Sequence, residues 1–234
     1  FDNKIYGRGA IDDKGPVIAS LYAMKANMDN CNLNKRVRLI LGLNEERDWE
    51  CIKYYKEHEE LPSISFSPDA DFPCIYAEKG IISAIISSNY SEITNNPIVL
   101  EYADCNSNPL NVVPKISSCI LKIDNNKISI NDFINNLKNI ISKYNYEIDI
   151  YKLNDERIKL TSYGVQAHSA HPDLGINAIS RLIVVLDEIF KHFKINIPIF
   201  DYFYKFINDT YDGKKLGIAL EDESRKINFK CRKF

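Results

Sequence analysis

Apolar and polar positions along the chain follow two textures, and the change between them suggests two domains. In the first texture, residues 37–43 form a short apolar run bounded by polar residues. Such a run predicts a buried strand, parallel and covered on both faces. It leads directly into Glu45 and Glu46. Upstream, Lys14-Gly15-Pro16 opens a helix reaching about Asn30, with Val17, Ile18, Leu21, Met24 and Met28 on one face. Downstream, residues 49–60 predict a second helix with Ile52 and Tyr55 turned inward. Residues 64–66 predict a further short strand, ending in Ser67-Pro68-Asp69-Ala70-Asp71-Phe72-Pro73.

From Ile81 the pattern becomes β-rich. Strands are predicted at residues 81–87, 97–102, 116–123, 146–151, 157–161 and 216–220. Ser129 with Asp132 three residues later has the form of a capping box, followed by the stripe Phe133, Leu137, Ile140, Ile141, Tyr144. A strongly apolar helix is predicted at residues 178–193 and another at 199–207, with a glycine-flanked loop at 164–177 before them. This half reads as α+β, a sheet with helices on one face. The boundary falls near residues 78–80, giving domains 1–79 and 80–234.

Composition narrows the function classes. Over 234 residues the net charge is −2, which offers no electrostatic case for nucleic acid or an anionic membrane. No apolar run approaches the ~20 residues that span a bilayer, and no signal-peptide pattern opens the chain. The six cysteines are scattered without a C-x-x-C pair, as reduced thiols of a cytoplasmic protein would be.

The candidate chemistry lies in carboxylates. Asp12/Asp13, Glu45/Glu46 and Asp69/Asp71 occupy tight loops or predicted strand ends, where α/β sheets place ligands. With histidine, such oxygen donors suit zinc or a similar divalent ion. Taken alone, Glu45-Glu46 equally suits a first helical turn. His58 and His192 fit solvated or helix-end positions, whereas His168 and His171 sit in the glycine-flanked loop. Asn177 stands where it can cap the following helix.

Together these stretches resemble a known family. Gly7-Arg8-Gly9-Ala10-Ile11-Asp12-Asp13-Lys14-Gly15-Pro16 resembles the bridging-aspartate motif of the di-zinc aminoacylase/carboxypeptidase/dipeptidase superfamily. Asn44-Glu45-Glu46 resembles its catalytic glutamate pair, and residues 67–73 with Glu78-Lys79-Gly80 resemble the third ligand motif of its PepV-like (Xaa-His) dipeptidase branch. Asn111-Val112-Val113-Pro114 and residues 164–172, with Gly175-Ile176-Asn177-Ala178, resemble motifs of the family's lid domain. The resemblance covers nearly the whole chain.

It implies an α/β fold: a partial zinc-peptidase catalytic domain, with a mixed, largely parallel sheet and helices on both faces, followed by an α+β lid. It implies two Zn2+ per active site, with Co2+ or Mn2+ as alternatives. Asp12 would bridge the metals, Glu46 and Asp69 would each hold one, and Glu45 would be the general base. His168 would stabilise the oxyanion, and His168 and Asn177 would face substrate. The expected activity is zinc-dependent hydrolysis of dipeptides. The alternatives are an N-acyl amino acid deacylase or desuccinylase, or a non-catalytic remnant whose lid is a binding or dimerisation module. The expected partner is a small peptide, with no nucleic acid or membrane, in a monomer or homodimer. The family pattern also has a His-x-Asp element before the first motif and a ligand histidine after the lid. Neither is found here, so the chain is expected to be a fragment.

Overall fold

In the computed structural model, the described residues are 2–30, 33–45, 48–70, 75, 77, 80–87, 96–104, 111–208, 210–222 and 225–226. The chain divides into two compact units, Phe1–Glu78 and Lys79–Phe234. Among the described residues it is a mixed α/β protein with five helices, a four-stranded antiparallel sheet and a two-stranded ribbon.

The first unit carries helices α1 (Gly15–Asn30) and α2 (Glu50–His58). Both form where the sequence places them, Pro16 supplying the preset φ of a first turn. Ile52 and Tyr55 are half-buried. The residues between the helices differ from expectation. Residues 37–43 form no strand, and Leu43 is 93% exposed. Residues 64–66 form no strand either, with Phe66 87% exposed. A parallel strand takes both hydrogen-bonding edges and both faces from other elements. Among the described residues this unit offers two helices and no second strand. The largely parallel sheet is therefore not formed among them.

What holds residues 36–42 is local. The Arg36 and Arg38 guanidiniums donate to the end of α2, Arg36 to the Glu60 carboxylate and Arg38 to the Tyr55 hydroxyl and the Glu60 carbonyl. At Gly42 an added Cβ would lie 3.3 Å from the Cys51 Sγ on α2. No described residue of this unit is fully buried, so the apolar stripe of α1 remains open, with Met28 69% exposed.

The second unit contains the hydrophobic core. Strands β1 (Ile98–Asp104), β2 (Ile116–Ile123), β3 (Ile148–Lys152) and β4 (Arg157–Tyr163) pair antiparallel in the order β1-β2-β4-β3. The period-2 pattern sorts side chains between faces. Cys119, Leu121 and Ile123 of β2, with Ile158 and Leu160 of β4, are fully buried beneath the helices. A register shift between Leu100 and Tyr102 bulges β1. Across the open face Arg157 grips Glu101 through two hydrogen bonds of 2.7 and 2.9 Å.

Helix α3 (Ile130–Ile141) buries Ile130, Phe133, Leu137 and Ile140; the last three belong to the expected stripe, whose Ile141 is half-buried and whose Tyr144 lies beyond the helix end. Ser129 is its N-cap residue, but the side chain makes no capping bond; only its carbonyl accepts, from Phe133 N–H. Helix α4 (Ala178–His192) is apolar around most of its circumference because it lies on β2 and β4 and also against α3 and α5 (Pro198–Phe206). Its charged Asp187 is buried, and Lys191 on the next turn meets it at 2.9 Å. Burial raises the Asp187 carboxyl above its ordinary range, against the opposing pull of Lys191.

Two predicted strands of this half do not form. Residues 81–87 form no strand and are exposed, Ile82 and Ile85 almost completely. Residues 216–220 are interrupted by glycines. Gly213 and Gly217, at φ 69° and 71°, flank a 3-10 turn at Lys214–Leu216. The short ribbon strands β5 (Glu221–Asp222) and β6 (Arg225–Lys226) follow.

Candidate active site

In the first unit, the Asp12 motif is a kinked turn, Ala10–Lys14, entered through Gly9 at φ 73°. Lys14 N–H donates to the Gly9 carbonyl at 2.9 Å, and Lys14 Nζ reaches back to the Arg8 carbonyl at 2.8 Å. The backbone at Gly9 is left-handed, which favours glycine there; an added Cβ would also lie 2.9 Å from that Nζ, whose flexible side chain can move aside. Asp12 and Asp13 fall outside helical φ/ψ, and the peptide bond between them is cis. Asp12 is exposed and Asp13 half-buried.

Glu45 lies in the turn after residues 37–43, closed by Trp49 N–H donating to the Asn44 carbonyl at 3.2 Å. The Asn44 side-chain amide donates to the Asp48 carboxylate in the same turn. Glu45 and Asp69 are both exposed. Glu46 and Asp71 lie outside the described residues. Among the described residues no three His, Cys, Asp or Glu side chains converge to hold a metal ion. The carboxylates are the right donor type for zinc, but the described residues do not bring a donor set together.

In the second unit, two motifs distant in sequence are zipped together. Asn111 and Val113 pair with the loop: Val113 N–H donates to the Ala167 carbonyl and Ser169 N–H to the Asn111 carbonyl, each at 2.8 Å. Gly164 N–H donates to the Lys115 carbonyl at 2.8 Å, and Ala178 N–H to the Pro114 carbonyl at 3.0 Å. The loop closes on itself where Val165 and Ile176 exchange bonds of 3.0 and 2.9 Å. Two glycines permit this closeness. A Cβ at Gly164 would fall 2.1 Å from the Ile176 carbonyl oxygen, and one at Gly175 would fall 2.9 Å from the Ala167 Cβ. Asn177 ends the loop and caps α4, its Oδ1 accepting from Ile179 and Ser180 N–H at 3.0 and 3.2 Å.

This loop presents His168 on the surface, at one corner of a turn closed by His171 N–H donating to the His168 carbonyl at 2.9 Å. The ring is fixed as well, because Ala170 N–H donates to its Nδ1 at 3.1 Å. The sequence singled out His168 but not Ala170, because a main-chain N–H carries no residue-type signal. His58 is exposed as expected, stacked on Tyr54 with its Nδ1 2.8 Å from the Tyr54 carbonyl. His192 ends α4 edge-on to Phe193.

The first unit thus holds an acidic turn ahead of α1 and a carboxylate turn ahead of α2, and the second unit holds a histidine loop tied by backbone bonds to residues 111–115. The sequence matches the family described as Peptidase family M20/M25/M40 over residues 2–198, and the chain belongs to it. Its relatives include "Putative dipeptidase YtjP" of Bacillus subtilis (strain 168), 38% identical over 228 residues, or 95% of this chain and 47% of the relative. "Putative dipeptidase SSP1012" of Staphylococcus saprophyticus is 31% identical over 225 residues, again 95% of this chain and 47% of the relative. The chain thus spans about half the length of the curated relatives it matches. Among the described residues no helix is long and apolar enough to cross a membrane.

Proposed function

We propose that this chain carries residues of a site that hydrolyses dipeptides with the help of bound zinc, in a cytoplasmic protein. The observation that supports the reading is the similarity over 95% of the chain to proteins named "Putative dipeptidase", together with the family match over residues 2–198. Asp12, Glu46 and Asp69 are the proposed oxygen donors to two Zn2+ ions. A bound divalent metal acidifies water and polarises a carbonyl. Glu45 is the proposed general base, accepting a proton from the attacking water. His168 is proposed to donate a hydrogen bond to the carbonyl oxygen as it becomes an oxyanion, with Asn177 as the second substrate-facing residue of the same loop.

The test pairs metal content with turnover. The purified chain and its Glu45→Gln variant are dialysed after zinc loading, analysed for bound zinc, and assayed with a panel of dipeptides. The expected result is retained zinc in both and turnover reduced roughly 10²–10⁴-fold in the variant, the usual contribution of a general base. Near-normal kcat in Glu45→Gln, or no zinc and no hydrolysis in the parent chain, would overturn the reading.

A further inference from the structure

We infer that the backbone N–H of Ala170 is a positioning group that holds His168 as its neutral Nε2–H tautomer. A neutral imidazole carries one proton, and each nitrogen is then either donor or acceptor. Ala170 N–H can only donate, and it donates to Nδ1 at 3.1 Å. Nδ1 must therefore present its lone pair, and the proton sits on Nε2. The turn that makes this contact is itself held in place. His171 N–H closes it on the His168 carbonyl at 2.9 Å, and Ser169 N–H ties it to the Asn111 carbonyl at 2.8 Å. His168 forms an isolated antiparallel bridge with Val112. The ring is consequently anchored by paired backbone on one side and by a fixed donor on the other.

The consequence is a sharper role for His168. With Nδ1 occupied and Nε2 protonated, the neutral ring offers no lone pair to a metal or to a substrate proton. It offers one hydrogen-bond donor, Nε2–H, on an exposed residue. Such a donor suits an acceptor-only group, a peptide carbonyl or carboxylate oxygen of a small peptide. This last step rests on the hydrolase reading above, while the tautomer assignment does not.

His58 supplies an internal contrast. Its Nδ1 lies 2.8 Å from the Tyr54 carbonyl, which can only accept, so its Nδ1 must carry the proton. The two histidines are expected to hold opposite tautomers in one chain.

The experiment is a two-bond ¹H–¹⁵N correlation spectrum of the ¹⁵N-labelled chain at about pH 8, above the ordinary imidazole pKa of ~6.5. The His168→Gln and His58→Gln variants each delete one ring pattern and so assign the two. Expected is an unprotonated Nδ1 with a protonated Nε2 at His168, the reverse at His58, and collapse of both toward the mixed free-imidazole pattern in urea. A protonated Nδ1 at His168, or a folded-state pattern identical to the urea one, overturns the inference even if dipeptides are hydrolysed. An Nε2–H tautomer in a chain that neither binds zinc nor hydrolyses dipeptides overturns the hydrolase reading and leaves the tautomer assigned.

Discussion

Replacing Gly164 with alanine tests whether the His168 loop is held by backbone proximity. The new Cβ would lie 2.1 Å from the Ile176 carbonyl oxygen and 3.0 Å from the Ala178 nitrogen. Ordinary contacts between such atoms lie above ~3 Å, so the two loop arms must separate by about 1 Å. The Val165–Ile176 bonds, now 3.0 and 2.9 Å, would then stretch past hydrogen-bonding range. Losing two such bonds costs about 0.5–1.5 kcal/mol each, so about 1–3 kcal/mol in total. The lost flexibility of glycine in the unfolded chain offsets about 0.4–1 kcal/mol of this. Amide hydrogen exchange reports on this loop directly, because it resolves Val165 and Ile176 individually. The expected outcome is faster exchange at both, together with a lower urea midpoint by far-UV circular dichroism. Gly7→Ala, where an added Cβ meets nothing within 4 Å, is the control. If Gly164→Ala left both amides as protected as in the parent and stability within about 0.5 kcal/mol, the steric argument would be refuted.

Asn177→Ala removes the cap of α4 and is expected to cost about 1 kcal/mol by urea titration, whereas Asn177→Asp, which keeps the acceptor at a helix N-terminus, should cost less. The bidentate hydrogen bonds from Arg157 hold the Glu101 carboxyl below its usual range. A carboxylate whose folded pKa is depressed adds stability that is present above its unfolded pKa and lost as pH falls through the folded one. Urea midpoints of the parent should therefore drop more than those of Glu101→Gln between pH 5 and pH 2.5; equal drops would show that the pair adds nothing.

Several elements of the second unit were legible in the sequence. Strand β2 matches its predicted bounds of residues 116–123, and Phe133, Leu137 and Ile140 of the predicted α3 stripe are buried in the core. Both features are periodic, and period alone sorts side chains between core and solvent. The first unit shows the limit of that signal. An apolar run at residues 37–43 carries a preference for burial, yet a strand exists only where another strand supplies its ladder, and none does so among the described residues.

The candidate site divides the same way. The sequence by itself determined the chemistry available: carboxylates in three turns, a histidine between glycines, and an asparagine at the start of a helix. It fixed these because residue type decides what an atom can donate, accept or ligate. Only the tertiary structure decided that residues 111–114 and 164–177 form one braced unit, since backbone bonds between segments some fifty residues apart leave no periodic trace. Only the tertiary structure, likewise, set the Ala170 amide against Nδ1 of His168. A main-chain N–H is the same in every residue but proline, so its partner is decided by where the chain folds and not by what it is made of.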